Sequence, residues 1–263
     1  MCKNWLAAAA AIIAGVALSC SVTLTSKSAS GAEIKVLSAV AVKTALDDLA
    51  SQFERTSGNK VSLSYATAGE VINRIRGGEA ADVTILPKPR MDELVQQGKI
   101  VSNSVLKFAS AAVGVAVRAG APKPDISSPE VLKRSLLAAN SISYADPTKG
   151  GVSGIHFAGV LERLGIVEEM KPKTKLVPGP QAPDLVARGE VEISVTMVPE
   201  ILPVSGVDFV GPLPKELQNT TDFLYVAGIL APSIEPDSAK ALIQFISGPT
   251  AAPVLKSKGL EPG

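Results

Sequence analysis

Two tight turns near the start of the globular sequence could bind an anion. In each, a short apolar strand runs directly into a helix through small residues: strand 34–38 leads into segment 39–44, and strand 61–65 leads into segment 66–70. Such a turn leaves the first N–H groups of the helix without partners inside the helix, and these groups favour negative charge. Because the two turns follow consecutive strands, we predict that they face one ligand site.

Basic side chains near these turns could contact the ligand directly. Lys43 starts the first helix, Arg74 and Arg76 follow the second turn, and Lys88 and Lys149 lie in later loops. Arginine and lysine at such places suit a carboxylate better than a neutral solute. From their placement we take Lys43 and Arg74 as candidate ligand contacts, although basic side chains on helix surfaces are more often solvated.

Hydrolytic and metal chemistry have little support in the sequence. The only histidine, His156, lies just inside a helix that follows a glycine-rich loop, and a hydrolytic triad would need it as the base. No Gly-x-Ser-x-Gly turn for a serine nucleophile is present. A zinc site would require more histidine or cysteine than this chain carries.

The N-terminal segment predicts export. Lys3 is followed by an apolar run over residues 6–18 and by small residues at 28–32. The run is too short to span a bilayer comfortably, so we interpret residues 1–32 as a cleaved signal peptide of a periplasmic protein. A lipoprotein attached through Cys20 is the alternative. Because Cys2 also lies in this segment, the mature chain would lack cysteine, which excludes disulfides and thiol catalysis.

Composition narrows the ligand class. The formal net charge is +1, with 19% charged and 46% hydrophobic residues, which fits a compact globular protein and gives no sign of nucleic-acid binding. The only tryptophan, Trp5, lies in the predicted signal segment. A sugar ligand is therefore disfavoured, because sugars usually stack on large aromatic faces.

The order of predicted elements indicates an α/β fold. Strands and helices alternate along the chain, and this rhythm occurs twice, before and after about residue 115. We predict a first lobe of residues 33–114 plus 223–263 and a second lobe of residues 115–222. In such folds the ligand binds outside the carboxyl ends of the strands, here in a cleft between the lobes.

Several motifs resemble the periplasmic molybdate-binding protein family, which belongs to the type II solute-binding proteins of ABC transporters. The resemblance is carried by residues 34–86, with Ala-Ala-Asp-Val at 80–83, and by three later segments at 146–154, 185–190 and 245–249. It covers essentially the whole mature chain. It implies a two-lobed type II periplasmic binding protein fold with mostly parallel mixed sheets and a hinged cleft.

The resemblance also places the ligand site. The family holds a tetrahedral oxyanion with two loop serines, backbone amides and a tyrosine. Aligned by eye, the serine positions fall at Ala41 and at Ala68, which lies between Thr67 and Gly69, and the tyrosine position falls near Met197. Three hydroxyl donors are thus missing, and each lost donor costs about 1–3 kcal/mol. The family implies an oxyanion such as molybdate or tungstate, but given the lost serines we expect a carboxylate, or an oxyanion other than molybdate.

Backbone amides complete the expected site. By the same alignment they come from the loops at Ser153, next to Gly154, and at Gly179, where Gln181 offers a side-chain amide. The resemblance implies a monomeric binding protein that closes on a small anion, needs no cofactor and delivers its ligand to an inner-membrane ABC permease.

An enzyme on the same fold is the alternative. The chain is also similar to bacterial aconitate isomerase, which shifts an allylic proton in a tricarboxylate without a cofactor. If the chain were such an isomerase, the possible bases would be Lys43, His156 and Glu200.

Overall fold

Eleven strands and ten α-helices are found in the computed structural model, which describes residues 31–219 and 221–263. The strands, numbered in chain order, are β1 Glu33–Ala39, β2 Lys60–Ala66, β3 Val83–Pro87, β4 Leu106–Ser110, β5 Val113–Arg118, β6 Ile142–Ala145, β7 Thr174–Val177, β8 Ile193–Met197, β9 Val207–Pro212, β10 Leu224–Ile229 and β11 Glu261–Pro262. The helices are α1 Lys43–Ser57, α2 Ala68–Arg76, α3 Lys88–Gln96, α4 Pro129–Ala138, α5 Val152–Leu164, α6 Val167–Met170, α7 Ala182–Ala187, α8 Val198–Ile201, α9 Pro236–Ile246 and α10 Ala252–Ser257.

The strands form two sheets, which confirms the predicted α/β class. The first sheet has the order β11-β4-β10-β3-β1-β2, and the second has the order β7-β6-β8-β5-β9. Parallel pairing holds β2, β1 and β3 together in the first sheet and β7, β6 and β8 in the second. The other strands pair antiparallel.

The helices form where the sequence gives an apolar stripe and a clear end. In α1 the buried side chains include Ala45, Leu49 and Phe53, spaced at one face of a helix. Gly58 ends this helix with φ of 73°, a left-handed conformation that costs glycine little. At the start of α2, the side chain of Thr67 accepts a hydrogen bond from the backbone N–H of Glu70 and caps the helix.

Two segments connect the sheets: residues 111–112 and the segment between β9 and β10. Gln218, in the second segment, fixes it against the first residue of β5: its Nε2 donates to the carbonyl of Val113 at 2.7 Å, and its Oε1 accepts from the Val113 N–H at 3.1 Å. All of β5 belongs to the second sheet, so the predicted boundary between residues 114 and 115 falls inside a strand. The lobe boundaries stay a prediction.

Most of the predicted signal segment lies outside the described residues. Of residues 1–32, the structure describes Gly31 and Ala32, and the Ala32 N–H donates to Oδ1 of Asn59 at 3.0 Å. The cleavage site and the Cys20 alternative stay predictions. Within residues 31–219 and 221–263, none of the helices combines the length and apolar character needed to cross a bilayer.

Asp82, in the Ala-Ala-Asp-Val motif, ties the first sheet together. Its side chain is buried and accepts three hydrogen bonds, from the Lys35 N–H at 2.9 Å, the Ser233 hydroxyl at 2.8 Å and the Ile234 N–H at 3.3 Å. These donors come from β1 and from the loop after β10. The motif therefore has a structural role, distinct from ligand contact.

We predict that Asp82→Ala destabilises the protein by about 3 kcal/mol, because buried donors lose a charged acceptor. Urea denaturation measures this change. The matched control is Asp92→Ala, which removes an exposed ion pair with Lys88 at 2.6 Å and should cost less than about 1 kcal/mol. Equal losses in the two variants would show that the Asp82 bonds contribute no more than a surface pair.

Candidate functional site

A small cavity lies where strands of both sheets end. It is lined by thirteen residues: Ala39, Val40, Ala41, Thr67, Ala68, Ala145, Gly151, Val152, Ser153, Gly179, Met197, Glu200 and Tyr225. All but Tyr225 lie at or just after the carboxyl ends of five parallel strands, β1, β2, β6, β7 and β8. This is the position at which open α/β sheets bind ligands.

The cavity is compact. Its volume is about 20 Å³, which corresponds to free space of about 3 Å in radius. A small tetrahedral oxyanion or a short carboxylate has this size, whereas a tricarboxylate would need the cavity to widen.

Helix N-termini supply the polar character of the cavity walls. The 3₁₀ turn Val40–Val42 leads into α1, and α2 and α5 begin at Ala68 and Val152. The first N–H groups of a helix have no acceptor inside it, and the helix dipole adds partial positive charge. Of the thirteen lining residues, none is lysine or arginine, so an anion here would be held by amides and hydroxyls.

Contacts between turns of the two sheets border the cavity. The Thr67 hydroxyl donates to the Lys149 carbonyl at 3.1 Å, and the Gly69 N–H donates to the Gly150 carbonyl at 3.4 Å. A Cβ atom on Gly69 would lie 3.1 Å from the Gly150 Cα, and Gly150 itself has φ of 75°. Residues larger than glycine would therefore hold the two turns apart.

Glu200 places a carboxyl group in the cavity. It lies in the turn that follows β8, and its Oε2 accepts a hydrogen bond from the Thr196 hydroxyl. Burial raises its pKa to about 7, while the hydrogen bonds from Thr196 and the Met197 backbone act in the opposite direction. Tyr225, also in the cavity wall, has its pKa raised by burial and by the nearby Glu200 charge. Glu200 can therefore exchange a proton near neutral pH.

Many residues predicted for the site do meet at this cavity. The structure brings together Ala41, Thr67, Ala68, Ser153, Gly179 and Met197. Gly69 lies beside them in the closing contact with Gly150. Their roles as ligand contacts stay predictions.

Lys43 and Arg74 lie elsewhere. Lys43 Nζ forms an ion pair with Asp47 Oδ2 at 2.6 Å and sits 4.7 Å from the centre of the Tyr65 ring. The physical reason is the 3₁₀ turn before α1: it places Val40 and Ala41 at the cavity and carries Lys43 beyond it. Arg74 pairs with Glu79 at 2.5 Å and bonds Ser64 at 2.9 Å.

Two further predicted contacts are also outside the cavity wall. Gln181 is exposed at the start of α7. Gly154 is buried in the first turn of α5, where it packs against β6. The basic side chains that favoured a carboxylate are therefore not at the cavity.

His156 packs against the segment that connects the sheets. Its Nε2 donates to the Leu217 carbonyl at 2.7 Å, and its ring meets the Phe223 ring edge-on at 4.9 Å between centres. Burial lowers the pKa of His156. Because it does not line the cavity, only Glu200 of the three possible bases is placed to meet a ligand there.

Tyr225 lines the cavity, although no sequence pattern pointed to it. It comes from β10, far along the chain from the turns that line the cavity, and its side chain is buried. The one feature of the sequence that could have drawn attention to Tyr225 is that it is a tyrosine in an otherwise apolar strand. Among the described residues no group of three or more His, Cys, Asp and Glu side chains could hold a metal ion.

Gly154 sets the position of α5 relative to the cavity. A Cβ atom there would lie 2.0 Å from the Ala145 carbonyl oxygen, closer than any real contact. The turn that carries Ser153 can therefore approach β6 only because residue 154 has no side chain. In contrast, a Cβ atom on Gly159 of the same helix would meet nothing within 4 Å.

We predict that Gly154→Ala destabilises the protein by about 2–3 kcal/mol, because the helix start must shift. Gly159→Ala, the matched control, should stabilise it by about 0.5–1 kcal/mol through higher helix propensity. Thermal unfolding of both variants measures the contrast. An unchanged melting temperature for Gly154→Ala would show that α5 is not held in this position.

Comparisons with known proteins agree with this geometry. The chain is 30% identical over 235 residues to aconitate isomerase from Pseudomonas sp., covering 87% of each chain. It is also 30% identical over 243 residues to the molybdate-binding protein ModA from Azotobacter vinelandii, covering 88% of this chain and 90% of that protein.

The solved structure of the Azotobacter vinelandii periplasmic molybdate-binding protein has the same fold. Its TM-score is 0.73 at 21% identity, with 86% of this chain and 98% of that chain covered. This likeness confirms the predicted two-lobed periplasmic binding protein fold. The family model described as bacterial extracellular solute-binding protein matches residues 34–261. The chain therefore belongs to the bacterial extracellular solute-binding protein family.

Proposed function

We propose that this protein is a periplasmic solute-binding protein that closes on a small anion and delivers it, as a monomer, to an inner-membrane ABC permease. The observation that carries this proposal is the compact cavity, whose walls include the N-terminal turns that lead into α1, α2 and α5. Amides at these positions and their helix dipoles favour negative charge. Closure would trap the ligand between the two lobes and favour the closed state.

The cavity favours a compact anion over an extended one. Of the three hydroxyls in its wall, that of Thr67 donates to the Lys149 carbonyl and that of Ser153 contacts Thr196, so the Tyr225 hydroxyl and the backbone N–H groups are the neutral donors left for an anion. The free space has the dimensions of a tetrahedral oxyanion or a short carboxylate. One structural relative is a molybdate-binding protein. Ala41 and Ala68 stand where the resemblance expects serines. We therefore expect molybdate to bind more weakly than anions that need fewer hydroxyl donors, such as a short carboxylate.

We predict that such an anion raises the melting temperature of the purified protein. A ligand at one hundred times its dissociation constant adds about 2.7 kcal/mol to the free energy of unfolding. The screen should compare molybdate, tungstate, sulfate, phosphate, oxalate and tricarboxylates. Stabilisation by molybdate and tungstate alone would contradict our interpretation of Ala41 and Ala68, and no stabilisation by any anion would contradict the proposed function.

Substitutions at Thr67 provide a test variant and a matched control. Its hydroxyl caps α2 and bonds the Lys149 carbonyl across the cleft. Thr67→Val keeps the shape and removes both bonds, so affinity for the stabilising anion should fall by about tenfold, or about 1.4 kcal/mol. Thr67→Ser keeps the hydroxyl and should bind like the wild type.

An isomerase on the same fold is the second candidate. One relative is an aconitate isomerase, and Glu200 places a carboxyl group with a pKa of about 7 in the cavity. Glu200 would take a proton from the CH₂ carbon of an unsaturated tricarboxylate and return it at the other end of the allylic system. The closed cavity would have to widen for such a substrate.

The isomerase candidate predicts that cis- or trans-aconitate changes its isomer ratio in the presence of the protein and that Glu200→Gln abolishes this change. Proton NMR of the vinyl signals measures the ratio directly. Constant ratios over hours at micromolar protein would rule out this activity. If the Glu200→Gln variant still changed the isomer ratio, another residue would have to be the catalytic base.

A further inference from the structure

Glu200 is the last member of a hydrogen-bonded series of three side chains in and behind the cavity wall. The hydroxyls of Ser153, in the first turn of α5, and Thr196, at the end of β8, lie 3.4 Å apart. Thr196 donates its hydroxyl proton to Glu200 Oε2. Because Thr196 has only one proton, the bond between the two hydroxyls requires Ser153 to donate. Glu200 is thus held in place by the wall instead of being free to turn away from a ligand.

A charged Glu200 would conflict with a bound anion. Both would occupy a compact cavity whose thirteen lining residues include no lysine or arginine. Two negative charges at contact distance repel strongly when no positive side chain lies between them. The conflict disappears if the carboxyl carries a proton, and the neutral acid then offers a donor that replaces one of the hydroxyls missing at Ala41 and Ala68.

We propose that Glu200 binds the anion as the neutral acid and donates its proton to the ligand in a hydrogen bond, so that each anion is bound together with one proton. This inference rests on the proposed function and adds a specificity-determining residue to it. The proton comes from solvent, and no covalent bond of the ligand changes. Glu200 would therefore select ligands that present an acceptor oxygen to it, rather than a hydroxyl group.

The surroundings of Glu200 support this protonation. Burial already raises its pKa to about 7 in the protein without ligand, and a bound anion would raise it further. Tyr225 is the other titratable side chain in the wall, and its raised pKa keeps it neutral. Partial positive charge at the N-termini of α2 and α5 acts in the opposite direction on Glu200, and the negative charge of a bound anion offsets it.

Other charged groups on the elements around α8 are distant or already paired. Arg118 of β5 and Asp208 of β9 lie at the end of the second sheet that is far from α8. The strand register shows this: Val113 pairs with Met197, which immediately precedes α8, whereas Val117 pairs with Ile193 and Asp208. Lys258, beside the C-terminal contact with α8, pairs with Asp48 at 2.9 Å. Glu200 is therefore the group whose titration a cavity ligand would feel.

The test is the pH dependence of anion affinity. Sulfate and oxalate stay fully ionised from about pH 6 upward, so their own titration does not interfere. For wild-type protein, we expect affinity to be constant well below pH 7 and to weaken by about tenfold for each pH unit above it, because the free protein must first take up a proton. Isothermal titration calorimetry at several pH values measures this.

Variants assign the effect to one residue. Glu200→Gln mimics the neutral acid, so it should bind the same anion with an affinity that no longer changes with pH. Glu168→Gln, at an exposed glutamate of α6, should behave like the wild type. A Glu200→Gln variant with unchanged pH dependence would overturn the proposal, as would one that loses binding, since Glu200 would then act as an acceptor.

Proton uptake by the wild type provides a measurement that does not depend on any variant. Titrations at about pH 8 in buffers of different ionisation enthalpy should show about one proton taken up for each anion bound. Zero uptake would overturn the proposal while leaving anion binding intact. Absence of binding by sulfate, oxalate and every other anion in the screen, at every pH, would overturn the proposed function and this inference together.

Discussion

The close approach of Gly69 and Gly150 is the contact on which the site depends. Each glycine belongs to a turn at the carboxyl end of a strand, one in each sheet, and the backbones meet with no side chain between them. This approach brings the start of α2 towards the start of α5 and encloses the cavity. A ligand that contacts both turns would therefore stabilise the conformation in which the two turns approach each other.

The compact cavity gives a physical reason why the proposed anion site can lack a basic side chain. Lysine or arginine is a strong partner for a carboxylate in open solvent-exposed sites, but a compact cavity leaves little room for such long side chains. Helix N–H groups supply donors at fixed positions and need no side-chain ordering. Low polarity around the cavity strengthens electrostatic interactions, so the proposed role of Glu200 in ligand selection would depend on its protonation state.

Local sequence patterns predicted the strand-to-helix turns well. The turn at Thr67 and the helix over residues 152–164 followed from capping and glycine signals, and the cavity forms at these turns. Lys43 starts α1 as predicted, but its distance from the cavity was missed, because the 3₁₀ turn Val40–Val42 separates the end of β1 from the helix and no sequence signal marked that turn. Tyr225 was missed because its proximity depends on the pairing of β10 with β3, a contact distant in sequence.

Whether a protein of this fold binds or isomerises its ligand would depend on which ligand atom faces the Glu200 carboxyl group. If an oxygen of the ligand faces the carboxyl, the shared proton makes a hydrogen bond and the complex is stable. If an acidic C–H faces it, the ionised carboxyl can remove that proton, and a pKa of about 7 suits transfer in both directions. The radius of about 3 Å in this closed structure allows an oxygen of a compact anion to reach Glu200, while a tricarboxylate could present its carbon only after the Gly69–Gly150 contact opens. If the Gly69–Gly150 contact is kept when a ligand binds, we therefore expect size selection to favour hydrogen bonding to a compact anion over proton removal from a tricarboxylate.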